Sequence, residues 1–477
     1  PNSDSLVIWP DISWPTEYLS DASDHGVGVS LRMLRPIRFD SLSMLMTSTL
    51  TVCPTLMKSS IFLTGFQDNS VKWTSPSTPP MSTNAPNFDM PVTVAWLVVV
   101  FCFIKARFDK RWIIPAGIAL GLGFATKLNI FFLPFALLGF ALLETGLLKR
   151  FGHDAFRTVL IRYALIGSSF IVVGGLVFWL HWPLLYHDTI AHIGRYIQFH
   201  ARHVHYPVDY FGVLQYRPPF SVYFPLVMTA VSVPLVTLVL AGVGAYHAAR
   251  EWWGARGEQW SEKVVVYGQI LLSAVVPLVI IALPNTPIFG GTKHWMPAMP
   301  FFAILGGVGA TYLIAGIRVN HQAIWVRLFA AMCLLSTPIW ATVEYGDQGP
   351  VYYNGVVGGP PGAARLGLSR NFWGHSTVGV LDVINEHAPD NALVFWHKAT
   401  HRSIQAYQRS HVLKKPLRYT GDWTAAYSDW AVYHTQQEKL PEEVDIWRAY
   451  GTEWPFAGFY VDGLEVMSVY RRPESRR

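Results

Sequence analysis

The chain has 477 residues, 51% hydrophobic and 14% aromatic, but only 14% charged. Soluble globular domains carry about 25% charged residues, so the composition excludes an ordinary soluble domain and fits a polytopic membrane protein. The formal net charge of +6 is accounted for by basic loops on one side of a membrane, so no nucleic-acid partner is expected. Cys53, Cys102 and Cys333 make no disulfide framework, and the last two lie inside apolar runs.

Residues 1–86 mix Asp, Ser, Thr and Pro without period, and Ser75-Pro76-Ser77-Thr78-Pro79-Pro80 reads as a linker. The one long apolar run there, Leu42 to Phe66, is interrupted by Pro54 and Lys58 and makes a weak span at most. An irregular segment is expected, without a signal-peptide pattern.

From Met90 the pattern is regular. Apolar runs cover Met90–Ala106, Trp112–Thr126, Ile130–Leu147, Val159–His181, Tyr223–Tyr246, Val264–Leu283, Met296–Ile317 and Ala323–Thr342. Each approaches the ~20 residues that cross a ~30 Å hydrocarbon layer. Their loops alternate in charge. One side holds Lys105, Arg107, Lys110 and Arg111, then Lys149, Arg150 and Arg157, then Arg250, Arg256 and Lys263, then Arg318. The other side holds Lys127, Arg195, Arg202, Arg217 and Lys293. The richer side is cytoplasmic, which puts Asp89 and everything after Thr342 outside. Trp112, Trp179, Trp182, Trp295, Trp325 and Trp340 stand at span ends, as an interfacial belt requires. Between Trp182 and Phe220, residues Asp188 to His203 read as a helix in the interface plane.

After Thr342 the polarity is mixed. Val378–Asn385 and Glu442–Tyr450 read as helices, and Ala392–Trp396 and Trp430–His434 as strands. Phe456–Val461 and Leu464–Tyr470 read as a hairpin turning at Asp462-Gly463. The predicted architecture is thus an α-helical polytopic membrane protein of about eight spans in residues 87–342. A small extracytoplasmic α/β domain occupies residues 343–477.

Ionisable groups near membrane depth are costly and are functional candidates by default. Asp89, in Asn87-Phe88-Asp89-Met90-Pro91, heads a span; its plain structural reading is a helix start, with Pro in the first turn. Lys127 interrupts Gly123-Phe124-Ala125-Thr126-Lys127-Leu128-Asn129, Arg217 lies in Tyr216-Arg217-Pro218-Pro219, and Lys293 and His294 precede the seventh run. Their plain readings are snorkelling or interfacial anchors. Three cations and one carboxylate on one face also suit an anionic lipid headgroup with a base beside it. His187, His192, His200, His203 and His205 lack a carboxylate or cysteine at metal-ligand spacing, so no metal site is assigned and a divalent cation is the one candidate cofactor. Gly117, Gly121 and the Gly306–Gly309 cluster lie inside spans and read as helix-packing surfaces rather than phosphate loops.

Phe88-Asp89-Met90-Pro91, Gly121 through Asn129, the Tyr206–Pro219 loop, and Pro284-Asn285-Thr286-Pro287 leading to Gly291-Thr292-Lys293-His294-Trp295-Met296-Pro297 together resemble the GT-C membrane glycosyltransferases. The likeness is to family 39-like members, which include protein O-mannosyltransferases and the lipid A aminoarabinose transferase. Tyr353-Asn354-Gly355-Val356-Val357-Gly358-Gly359 and Asn371-Phe372-Trp373-Gly374 are similar to bacterial members. The resemblance implies a multi-pass protein of a bacterial inner or plasma membrane. It implies inverting transfer of a hexose or pentose from a polyprenyl-phosphate donor to a protein, glycan or lipid acceptor outside. Asp89 would be catalytic. Lys127, Arg217, Lys293, His294, Tyr206 and Tyr216 would bind substrate. The resemblance also places an acidic motif after a first span upstream of Asp89, where residues 1–86 have no match. Compromised activity is therefore expected, with an open groove beside Met90–Ala106 and a solvent-exposed Asp89. The alternative functional classes are a transporter or flippase of a lipid-linked or anionic solute, and a membrane-anchored binding scaffold.

Overall fold

The computed structural model describes residues 89–473 apart from 153, 202–204, 256–259, 289, 317–323, 373–374 and 421–424. The expected irregular segment 1–86 and its weak span lie outside the described residues. Among the described residues, six helices are long and apolar enough to cross a membrane: α1 (Asp89–Phe108), α3 (Leu133–Arg150, within the span Asn129–Arg150), α4 (Phe156–His181), α8 (Glu262–Ile281), α9 (Met299–Gly316, preceded by a 3-10 turn Gly291–Ala298) and α10 (Ile324–Tyr345). The chain is a multi-pass membrane protein. Two expected spans differ in detail. Trp112–Thr126 is the helix α2 (Ile113–Phe124), which at ~1.5 Å per residue rises only ~18 Å. Tyr223–Tyr246 is split into α6 (Phe224–Ser232) and α7 (Leu235–Gly254), which meet at 118°. Pro234 is the cause, because it has no N–H and its ring blocks the carbonyl four residues back.

Polar contacts fix which helix ends lie together. At one end Arg107 forks onto Glu144 (Nη2–Oε1 2.6 Å, Nε–Oε2 3.3 Å), and Tyr163 donates to the same carboxylate. Lys105 pairs with Glu262 at 2.7 Å and Lys263 with Glu251 at 3.0 Å. Arg107, a loop charge by sequence, is buried and neutralises Glu144 inside the bundle. At the other end Lys127 pairs with Asp89, and Asn129 Nδ2 donates to the His294 carbonyl at 2.9 Å. The short α2 therefore does return the chain to the level of Asp89.

Glycines set the helix contacts. A Cβ on Gly117 would lie 2.4 Å from Ser169 Oγ, and one on Gly121 2.5 Å from the Gly174 carbonyl, so α2 rides backbone-close on α4 beside its π turn Phe170–Gly174. Gly309 and Gly244 do the same for α7 against α9. These are packing surfaces, as the sequence suggests. Trp295, expected in the interfacial belt, is fully buried, and its indole N–H donates to Thr229 Oγ1 at 2.8 Å. Trp325 and Trp340 are exposed on α10, only 6% of whose apolar window is buried.

The helix expected between Trp182 and Phe220 is α5 (Thr189–Ala201). It is followed by a hairpin that the sequence did not announce, β1 (Val208–Tyr210) with β2 (Val213–Gln215). Its turn at Phe211-Gly212 lies against Gly367 so closely that a Cβ there would sit 2.1 Å from the Gly212 nitrogen. Beyond α10 come α11 (Gly359–Arg365), α12 (Leu381–His387), β3 (Leu393–Trp396), α13 (His401–Arg409), β4 (Arg418–Tyr419), β5 (Trp430–His434), α14 (Leu440–Tyr450), β6 (Ala457–Val461) and β7 (Leu464–Arg471). The sheet order is β4-β3-β5-β7-β6, with β3 parallel to β4 and β5 and the remaining pairs antiparallel. Alternation along the strands sends Val394, Trp396 and Val432 to the face covered by α12, and Phe395, Ala431 and Tyr433 to the face covered by α14. The β6–β7 turn has Asp462 and Gly463 both at positive φ, as the Asp-Gly pair requires.

The α7–α9 contact yields a controlled stability test. Gly244→Ala places its Cβ 1.9 Å from the Leu305 carbonyl, whereas Gly242→Ala on the same helix meets nothing within 4 Å. In thermal unfolding of detergent-purified protein, Gly244→Ala should cost about 1–3 kcal/mol. Gly242→Ala should be neutral or slightly stabilising, since Ala is the better helix former. The reverse order would contradict this packing.

Candidate functional site

The site is built at the end of the bundle where α1 starts, α2 ends and the turn before α9 begins. Asp89 is the first residue of α1, with Pro91 in its first turn, and its carbonyl accepts from Thr93 Oγ1 at 2.6 Å. A carboxylate there also meets the positive end of the helix dipole. The side chain is 5% exposed and ion-paired with Lys127. The expectation of an open groove and an exposed Asp89 is overturned. α1 has 61% of its apolar window buried, equal with α8 the largest share among the described spans. The α1–α2 hairpin and the turn before α9 enclose its start.

Lys127 stands in extended backbone between α2 and the 3-10 turn Leu128–Phe132, which lets it reach back across the hairpin to Asp89. Lys293 is in the 3-10 turn Gly291–Ala298, within electrostatic range of both Asp89 and Lys127. Gly290 and Gly291 precede it at φ 80° and 64°, values that favour glycine, and Phe372 packs on Gly291. His294 is tied in by its carbonyl, which Asn129 holds. Asp89, Lys127, Lys293 and His294 are thus brought to one place from separate parts of the sequence.

The other candidates are arranged differently. Tyr206 is half-buried against the apolar cluster of Val208, Tyr210, Phe224 and Trp295, and burial pushes its phenol up. Tyr216 is 50% exposed, and the exposed Arg217 lies over its ring at 5.5 Å. Among the described residues, no three His, Cys, Asp or Glu side chains gather as a metal ion would need. The side chain of His200 and all of His203 fall outside the description.

Several groups here carry no signal in the sequence. Thr229 and Trp295 are joined by a hydrogen bond, with Trp295 two residues from Lys293 in the chain. Asn129, in the stretch Gly121 to Asn129, holds the His294 carbonyl. On the flank, Asp209 and Glu438 cap one another's backbone N–H groups at 3.2 and 3.0 Å, joining β1 to the residues just before α14. Burial raises both carboxyls, Glu438 to about 7. A mutual carboxylate cap across 229 residues leaves no local signal.

Chemically, the arrangement presents one held carboxylate and two ammonium groups at a helix-bundle rim. Residues 76–171 match the family described as "Dolichyl-phosphate-mannose-protein mannosyltransferase". No curated protein matches the chain. Two solved structures of ArnT from Cupriavidus metallidurans are similar over 80% of this chain and 74% of theirs. The one bound to undecaprenyl phosphate has 14% identity and a TM-score of 0.37; the apo state has 13% and 0.39. Over residues 76–171, which carry Asp89 and Lys127, the chain is similar to the dolichyl-phosphate-mannose-protein mannosyltransferases, and there the resemblance to GT-C membrane glycosyltransferases holds.

Proposed function

We propose that the chain is a membrane glycosyltransferase that moves a sugar from a polyprenyl-phosphate-linked donor to an acceptor hydroxyl outside the cytoplasm, with inversion. The observation that carries this reading is the ion pair of buried Asp89 with half-buried Lys127, in a stretch similar to a family named for a dolichyl-phosphate sugar donor, with Lys293 in range. Asp89 takes the proton of the acceptor hydroxyl as its oxygen attacks the anomeric carbon from the face opposite the phosphate. The bond from that carbon to the phosphate oxygen breaks, its electrons stay on the leaving phosphate, and Lys127 and Lys293 offset the added charge. His294, Tyr206, Tyr216 and Arg217 line the approach from the α9 turn and the hairpin region. Residues 87–342 form the transferring membrane part and residues 343–477 an extracytoplasmic domain beside it.

Transport of a lipid-linked or anionic solute is the second reading, and the α6–α7 break favours it, since transporters coordinate ions with unwound backbone carbonyls. Here those carbonyls are taken. Asn354 Nδ2 donates to Ala230 and Val233, and its backbone N–H donates to Val231, each at 2.7 Å. The break is filled by the chain itself.

The direct test is release of polyprenyl phosphate from a polyprenyl-phosphate sugar by the full chain in nanodiscs. Asp89→Asn should lower turnover ~10²–10⁴-fold with expression intact, the usual share of a positioned base. Turnover near that of the parent would leave Asp89 as a helix start, for which Asn serves as well. Orientation has its own test: alkaline phosphatase fused after Thr342 should be active in a bacterial host, and a cytoplasmic signal would overturn the assignment.

A further inference from the structure

We propose that Asn354, from the segment after the last span, is a positioning residue for Lys293, acting through the broken helix α6–α7. This rests on the reading of Lys293 as a donor-phosphate ligand. Pro234 supplies no N–H to the carbonyl four residues earlier, which is that of Ala230. Val233 is extended, so the helix stops and the carbonyls of Ala230, Val231 and Val233 lose helical partners. Buried in an apolar bundle, such carbonyls must find donors. Asn354 supplies all three donors at 2.7 Å. Its Oδ1 meanwhile accepts from the Val356 N–H at 3.0 Å, and its carbonyl accepts from the Gly359 N–H at 3.1 Å.

The residue is 2% exposed, and this position uses both amide hydrogens and the amide oxygen at once. Asp lacks the two donors and would set a negative oxygen against two carbonyls. The conformation fixed by Asn354 carries Thr229, on the last full turn of α6. Thr229 Oγ1 donates to the Pro225 carbonyl at 2.7 Å and accepts the Trp295 indole N–H at 2.8 Å. Trp295 is fully buried and stands two residues from Lys293 in the same 3-10 turn. Hydrogen bonds join Asn354 to the end of α6 and Thr229 of α6 to Trp295, which stands two residues from Lys293 in the chain.

The experiment uses the full chain in nanodiscs with Asn354→Asp, Asn354→Ala and Thr229→Val, all assayed below their unfolding temperatures. Two quantities are read: the acylation rate of Lys293 by a water-soluble amine reagent, measured by mass spectrometry against exposed Lys110, and the KM and kcat for a polyprenyl-phosphate sugar. The expected result is a change of about threefold or more in Lys293 acylation with Lys110 unchanged. Donor KM should rise about tenfold, the loss of one charge-assisted phosphate contact, with a smaller change in kcat. Lower unfolding temperatures with Lys293 reactivity and KM as in the parent would overturn the proposal and leave Asn354 a purely structural staple. If the Asn354 variants do not fold, Thr229→Val decides by the same two readouts. If the parent chain turns over no such donor, the functional reading fails, and the acylation rates still decide whether Asn354 positions Lys293.

Discussion

A charge at the rim of a lipid-embedded bundle must be paired or hydrated, and the Asp89–Lys127 ion pair meets that demand with an interaction that also sets geometry. It ties the first residue of α1 to the end of α2. Two helices of unequal length are thereby forced to end level, and the turn carrying Lys293 comes within range. The opposite end obeys the same rule, where Arg107, Glu144 and Tyr163 satisfy one another in full burial. The difference lies in what else is present. Around Asp89 a second cation, Lys293, comes within electrostatic range of the pair. A held carboxylate with two cations near it suits an incoming phosphate and an acceptor hydroxyl.

The second organising feature is the break at Pro234. A proline there cuts a span in two and strands carbonyls in an apolar interior, a cost that the chain meets with a single asparagine from well beyond the last span. The segment after α10 is therefore part of the bundle's hydrogen bonding. Tyr345 bonds to Asp462 in the β6–β7 turn, Arg370 Nη1 donates to the Glu465 carbonyl at 3.0 Å, and β1 is clasped to the residues before α14. Through these contacts the mixed sheet and the helix bundle share one framework around the site.

Much of this was legible in the sequence. Apolar runs gave the helical stretches from α1 to α10 outside the α5 region, with α6 and α7 read as one span, because a span's hydrophobicity needs no tertiary partner to be recognised. The amphipathic stretch after Trp182 gave α5. In the last part, Trp430–His434 and the Asp462-Gly463 turn were readable because strand alternation and turn chemistry are local. What stayed hidden depends on distant partners. Pro234 breaks its span only because Asn354, far along the chain, supplies donors to the freed carbonyls. Trp295 reads as a belt residue by position and is a core residue by contact with Thr229. The β1–β2 hairpin is only three residues a side, too short for a periodicity signal. Asp89, Lys127 and Lys293 were named from their cost at membrane depth, while the exposure expected for Asp89 failed because the ion pair across the hairpin could not be foreseen.

As proposed, this rim binds a lipid-linked phosphate through Lys127 and Lys293. The most direct measurement is the affinity of the full chain in nanodiscs for polyprenyl phosphate itself, without sugar or acceptor, beside Lys127→Ala and Lys293→Ala. Saturable binding is expected, weakened about tenfold or more by each substitution, the worth of one charge-assisted contact. Affinity equal in all three proteins, or no saturable binding by the parent chain, would contradict it.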